Sequence, residues 1–142
     1  MKKIFTSNII IIKNGKYLLQ LRNGSKTKVK ENNTWGLFGG HCKKNEKSKE
    51  CVSREIKEET NLRIQNPKLE FRVFIKKHQA KVSIFSKKIK KMGNFRLSEG
   101  TGYKFFTKQE IMCKKTSQIK ILKISNITYR IFEIFFKKNP NL

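Results

Sequence analysis

Aspartate is absent from this 142-residue sequence, glutamate occurs only ten times, and there are two prolines, one tryptophan and three cysteines. Without aspartate, any site built on carboxylates has to use glutamate. The cysteines, Cys42, Cys51 and Cys113, are odd in number and have no C-x-x-C spacing, which argues against a disulfide framework or a zinc cluster and predicts reduced thiols. Long apolar runs are missing too. Residues 9–12 are all isoleucine but are bounded by Asn8 and Lys13, far short of the roughly 18–20 residues that span a bilayer. Residues 1–7 have a basic start without the apolar region or small-residue cleavage site of a secretory leader. A cytoplasmic protein with no membrane partner is therefore expected.

Positive charge is abundant. Lys and Arg number 34 and the formal net charge is +24, yet 28 of these residues are Lys and six are Arg. Recognition of phosphates and bases favours the planar, bidentate guanidinium. The lysines are also spread along the whole chain beside Ile, Asn and Phe. We read the charge as a global compositional bias ahead of a dedicated nucleic-acid surface, one that would still attract any anionic substrate. The length, the 37% apolar content and the eleven Phe predict one packed domain over residues 1–142.

Hydrophobic periodicity predicts an α/β fold. Residues 9–12 and 17–21 flank Lys13-Asn14-Gly15-Lys16, and Asn-Gly suits the positive backbone angles of a tight hairpin. Residues 23–33 read as an exposed polar loop. Residues 35–38 form a short apolar strand ending at Gly39-Gly40, where the backbone can turn sharply or approach a ligand. Ser48 is positioned to cap a helix running to about Thr60. Leu69, Phe71, Val73 and Ile75, then Ala80, Val82 and Ile84, alternate with polar residues as two strands paired across residues 77–79, with His78 in the turn. A loop over 87–102 precedes a strand at 103–106, and Thr107 with Glu110 forms a capping-box pattern for a short helix. In the tail, Ile127, Ile131, Ile134 and Phe135 have the spacing of an amphipathic helix covering the sheet.

The acids are concentrated. Glu46, Glu50, Glu55, Glu58 and Glu59, half of the total, fall within fourteen residues. On a helix Glu55, Glu58 and Glu59 share one face and repel. Either Lys and Arg partners or a bound cation must compensate them. Arg54 lies four residues from both Glu50 and Glu58 and is one such partner; an oxygen-only donor set beside a close backbone approach suits a hard cation with phosphate.

These residues stand in an ordered pattern. Gly40, five residues, Glu46, seven residues, then Arg54-Glu55-Ile56-Lys57-Glu58-Glu59-Thr60-Asn61-Leu62 resembles the Nudix box, G-x5-E-x7-R-E-U-x-E-E-x-G-U with U aliphatic. Asn61 alone departs from it, standing where the family has glycine. That glycine ends the helix in a left-handed conformation, which Asn tolerates next best. Trp35-Gly36-Leu37-Phe38-Gly39-Gly40 resembles the family's approach strand, and the resemblance to the family extends more weakly over residues 19–22 and 99–106.

The resemblance implies a Nudix-type α/β/α sandwich with a mixed β-sheet and the box as loop, helix and loop. It implies magnesium-dependent hydrolysis of a diphosphate linkage in a nucleoside triphosphate or another nucleoside diphosphate derivative, with manganese as the alternative ion. Carried over by position, Glu58 and Glu59 are the best metal ligands, the Gly39 carbonyl a further one, and Glu55 a ligand or the base. Glu99 is the alternative base and a further ligand. Arg54 and Glu46 hold loop to helix. Arg22, Gly40 and His41 are candidates to meet substrate. Trp35 and Phe38 are candidates to stack on a base, although aromatic residues in a strand more often form core. Two other readings remain: removal of diphosphate from an RNA 5′ end, prompted by the basic surface, and a non-catalytic Nudix-fold sensor of nucleotide or nucleic acid. Either a monomer or a homodimer is compatible with the sequence.

Overall fold

In a computed structural model that describes residues 3–22, 34–98, 102–113 and 124–142, β1 (Ile4–Lys13) folds back as β2 (Lys16–Arg22). Asn14 and Gly15 carry the turn with φ of 51° and 72°, the paired positive angles that Asn-Gly favours. The two strands stay together only at Ile12↔Tyr17 and Lys13↔Lys16, then part. Into the fork comes the segment expected as one strand, which the structure divides in two. Its first part, β3 (Thr34–Gly36), pairs with Gln20, Leu21 and Arg22, and its second, β4 (Phe38–His41), pairs with residues 6–9 of β1. Leu37 is the crossing point.

The rest of the sheet builds outward. β6 (Ala80–Lys88) runs parallel to β1, β5 (Lys68–Ile75) runs antiparallel to β6, and β7 (Gly102–Phe106) adds to the far edge of β2. The sheet is therefore mixed, with seven strands. Strand alternation distributes the isoleucine run of β1 between two cores. Ile9 and Ile11 join Phe38 and Phe85 beneath Val52 and Ile56 of α1 (Ser48–Thr60). Ile10 and Ile12 join Tyr17, Leu19 and Val82 beneath α3 (Asn126–Lys138). Burial on both faces explains why residues 9–12 of β1 are apolar without interruption, and each fully buried side chain contributes about 1.5–3 kcal/mol. The layers are those of an α/β/α sandwich. No helix among the described residues is long and apolar enough to cross a membrane.

Three local expectations need correction. Helix α3 is turned relative to its isoleucine spacing: Ile127 and Ile134 are 46% and 40% exposed, while Thr128, Ile131, Phe132, Phe135 and Phe136 are buried. Phe132, Phe135 and Phe136 surround Tyr17 edge-on at 5.6, 6.2 and 5.2 Å, and three rings outweigh two isoleucines in area and contact geometry. Ser48 does not cap α1, since the cap position is Lys47 and no side chain bonds there. The alternation of β5 breaks between Leu69 and Phe71, where the register shifts against β6. Glu70 turns inward at this irregularity. Its carboxylate accepts from Ser86 Oγ at 2.5 Å and Asn139 Nδ2 at 3.3 Å, and its carbonyl accepts from Lys138 Nζ, so the end of α3 is tied to the sheet.

Elsewhere the local chemistry acts as its residues require. Thr107 and Glu110 close both bonds of the capping box at the start of α2 (Lys108–Met112). His78 sits in the 3-10 turn between β5 and β6. The polar loop over 23–33 lies outside the described residues, as does Glu99.

Candidate active site

Helix α1 brings its acidic face against β4, and two glycines allow the approach. At Gly40 an added Cβ would stand 2.6 Å from the Glu55 carboxylate, so only glycine leaves that carboxylate its place. Gly39 serves the sheet. With φ at +146°, its missing Cβ would meet the Ser7 carbonyl at 2.1 Å, and its N–H donates to Glu59 Oε1 at 2.9 Å. The close approaches expected at these glycines are therefore to β1 and to Glu55.

Arg54 organises the other carboxylates. Its Nε and Nη2 hold Glu46 in a two-pronged pair at 2.8 and 3.0 Å, Nη1 reaches Glu55 at 3.0 Å and Glu58 at 3.2 Å, and Nη2 also donates to the His41 carbonyl at 3.1 Å. Lys43 N–H adds a bond to Glu46 at 2.9 Å. The loop over 42–47 is thereby fastened to α1. Hydrogen bonding from Arg54, then from the Lys43 amide, lowers the Glu46 carboxyl from 4.5 to about 2. Because the folded value lies below the unfolded one, the pair stabilises the fold above about pH 4.5, and that contribution disappears as pH falls through about 2. Glu46→Gln is expected to flatten the acid limb of a melting-temperature profile in this window. A profile parallel to that of the unaltered protein would show that the pair adds no stability.

Glu59 is placed differently. Besides Gly39, its carboxylate accepts from Gln20 Nε2 at 3.3 Å, and Gln20 also donates to the Leu37 carbonyl at 3.3 Å. Burial pushes the Glu59 carboxyl up from 4.5 to about 7, against the lowering effect of those two donors. Glu55 raises it further and Arg22 lowers it. Glu58, by contrast, is 58% exposed at its side chain, whereas Glu55 is 17% exposed. One guanidinium thus serves three carboxylates, and the fourth is half-buried beside them.

The C-terminal end of α1 is equally well defined. Asn61 adopts φ 63°, its N–H reaches the Lys57 carbonyl, and its side chain donates to the Asn94 carbonyl at 3.1 Å. The residue that departs from the box therefore makes the left-handed turn and holds the following loop. Ser98 continues that attachment, its N–H bonding the Glu59 carbonyl at 2.9 Å and its hydroxyl the Glu58 carbonyl at 2.8 Å. The chain is thus anchored to the acidic helix one residue before Glu99.

The remaining candidates divide. Arg22 is exposed, and its guanidinium folds over β3 to donate to the Leu37 carbonyl at 3.2 Å. His41 is exposed at the end of β4. Phe38 is fully buried beneath α1, so its assignment to base stacking is corrected to core. Trp35 is 8% exposed and packs edge-on against Phe106 at 5.1 Å, again a core position. Its indole N–H has no partner among the described residues. Gln20 lies outside the box pattern. The signal was present, since it is the polar residue in the run Tyr17-Leu18-Leu19-Gln20-Leu21 and is 5% exposed, and a buried amide needs partners.

The expectation of reduced thiols is also overturned. Cys42, in the loop after β4, and Cys51, in α1, form a disulfide with Cα atoms 5.2 Å apart. An odd count excludes only a complete pairing, and the loop and helix bring two of the three together. Closing a nine-residue separation stabilises by about 2–3 kcal/mol through the unfolded chain. Cys51→Ala, or reduction by dithiothreitol, is expected to lower the melting temperature; equal melting with and without reductant would show that the bridge contributes nothing.

A sequence model of the NUDIX domain matches residues 4–120. No curated protein matches the chain in sequence. Among solved structures, the MutT protein from Methanosarcina mazei Go1 is 22% identical over 98% of both chains with a TM-score of 0.73. The MutT NUDIX hydrolase from Burkholderia pseudomallei is 20% identical, covering 94% of this chain and 98% of that one, with a TM-score of 0.72. The NUDIX domain of Shewanella oneidensis NrtR, complexed with ADP ribose, is 12% identical, covering 98% of this chain and 90% of that one, with a TM-score of 0.73.

Proposed function

Because the chain belongs to the Nudix hydrolase family, we propose that it is a divalent-metal-dependent pyrophosphohydrolase, residues 1–142 forming one catalytic domain that cleaves a diphosphate linkage in a nucleotide or nucleotide derivative. The observation that carries this reading is the charge balance at α1 and the loop before it: Glu46, Glu55 and Glu58 share Arg54, and Glu59 is held by neutral donors beside them. In a chain of net charge +24, that local excess of carboxylate oxygen suits a hard cation.

Magnesium, or manganese in its place, would be held by Glu58, Glu59 and the Gly39 carbonyl, with Glu55 as a further ligand or the base. Such an ion neutralises charge on the diphosphate and makes bound water more acidic. The residues have separable tasks. Glu59 is fixed by Gly39 and Gln20, so its oxygens are oriented in advance. Glu58 is exposed and free to swing from Arg54 toward the ion. Glu55 or Glu99 accepts the proton of the attacking water. Arg54 keeps the loop and helix in register, while Arg22 and His41 stand at the rim for phosphate.

A panel of nucleoside triphosphates, dinucleotides, nucleotide sugars and ADP-ribose, assayed with magnesium and with EDTA, tests the proposal. Metal-dependent cleavage of at least one member is expected; no turnover from the whole panel would overturn it. The basic surface favours RNA with a 5′ triphosphate as a second substrate class. Equal rates on such RNA and on free triphosphates would remove that reading. The proposed location is the cytoplasm.

A further inference from the structure

Among the described residues, the face of the sheet that carries α1 is covered only in part. Residues of β1 that point to this face are identified by Ile9 and Ile11 in the core beneath α1 and by Ser7, whose hydroxyl donates to the Ser48 carbonyl. Phe5 shares their parity. Register places Phe5 beside Lys81 of β6, and Lys81 beside Phe74 of β5. The three form one row across three strands. Both phenylalanines are 53% exposed. The adjacent row is Ser7, Ser83 and Arg72, in which Arg72 Nε donates to Ser83 Oγ at 3.3 Å. Between these rows and the start of α1 lies a cavity of about 280 Å³ lined by Phe5, Cys42, Glu46, Arg72, Lys81 and Ser83 among others.

We propose that this open end of the β1–β6–β5 face binds single-stranded nucleic acid, with bases stacked on Phe5 and Phe74 and phosphates met by Lys81 and Arg72. Strand spacing of about 4.8 Å sets the two rings roughly 10 Å apart with the ammonium between them. That alternation suits an extended strand, whose bases find π-faces while its backbone meets cations. Among the described residues the one carboxylate lining the cavity, Glu46, is already engaged by Arg54, so the local charge is positive. A protein partner or a lipid surface would favour a continuous apolar patch, and Lys81 divides this one. The excess lysine of the chain then supplies long-range attraction, while the aromatic row supplies the seat. Composition alone masked the distinction.

The surface adjoins the glutamate site at Glu46 but includes none of the proposed metal ligands, so binding is measured in EDTA without turnover. Fluorescence anisotropy with labelled 15-nucleotide oligouridylate RNA and oligothymidylate DNA gives affinity across a salt series. Phe5→Leu/Phe74→Leu retains charge and apolar character but removes the rings; Kd is expected to rise about tenfold or more, the scale of one or two lost stacked bases. Arg72→Gln/Lys81→Gln is expected to reduce the slope of log K against log salt by about 1.4, two phosphate contacts. Lys16→Gln/Lys137→Gln, away from this face, serves as the charge-matched control. The proposal is overturned if neither oligonucleotide binds, if the leucine variant binds like the unaltered protein, or if the control loses as much affinity as Arg72→Gln/Lys81→Gln. It is equally overturned if the unaltered protein sediments as a dimer that the leucine variant abolishes, because the rings would then be a self-interface. Matching melting curves establish that each variant is folded, and unchanged metal-dependent turnover of a small nucleotide separates this surface from catalysis.

Discussion

Glu59→Gln is expected to remove metal-dependent turnover and, in the metal-free protein at pH 8, to raise stability. The first effect follows from the loss of a proposed anionic ligand. Changing even a group that only supports a ligand costs about 10–100-fold in affinity or activity, so the loss here should exceed about 100-fold. The second follows from burial. Glu59 has a folded pKa of about 7 against an ordinary 4.5. The fold therefore holds an extra proton between these values, and the penalty for its charge grows as pH rises from about 4.5 and is complete above about 7. Glutamine retains an acceptor for Gly39 N–H and carries no charge. After discounting for solvent at a partly open site, the gain is about 1–2 kcal/mol. Glu58→Gln should lose activity comparably without the stability gain, since Glu58 is 58% exposed. Denaturant titrations at pH 5 and pH 8, with initial rates in magnesium, distinguish the two. If Glu59→Gln is no more stable at pH 8, burial of its charge is not costly; if it turns over at the original rate, Glu59 is not a ligand.

The opposite fates of Glu58 and Glu59 were invisible in spacing. Helical periodicity places both with Glu55 on one face, but their difference depends on β4 and on Gln20, which lies 39 residues from Glu59. Local signals were read well where the responsible atoms are neighbours. Asn14-Gly15 makes its turn, Thr107 and Glu110 close their capping box, and Asn61 takes the left-handed angle. The errors arise where distant packing decides. Tyr17 selects the phenylalanine face of α3 over its isoleucines, the hairpin fork divides one predicted strand into two, and the loop folded onto α1 brings Cys42 to Cys51. The box pattern singles out Glu46, Glu55, Glu58 and Glu59, which the fold gathers around Arg54 and Gly39, because it encodes such distant packing in a spacing. It could not disclose that Phe38 in its approach strand is sealed in the core.

Gly39→Ala should be the most damaging single methyl group in the chain's site. A Cβ there would lie 2.1 Å from the Ser7 carbonyl and 2.7 Å from Asn8 Cα. Both are backbone atoms of the central strand, which cannot rotate away as a side-chain end would. The φ of +146° is also one that alanine rarely adopts. Strain and overpacking together are expected to cost about 3 kcal/mol or more, and relief requires β4 to move off β1, withdrawing the Gly39 N–H from Glu59. Gly40→Ala provides the contrast one residue on. The atoms nearest its Cβ would be those of the Glu55 carboxylate, at 2.6–2.9 Å, and that group can swing aside. This variant should unfold near the denaturant concentration of the unaltered protein while losing turnover, because Glu55 has moved. Urea titrations and initial rates on the pair separate the two glycines. A Gly39→Ala protein as stable as the original would mean that the contact between β4 and β1 is looser than its geometry indicates, and that the position of Glu59 rests on Gln20 instead.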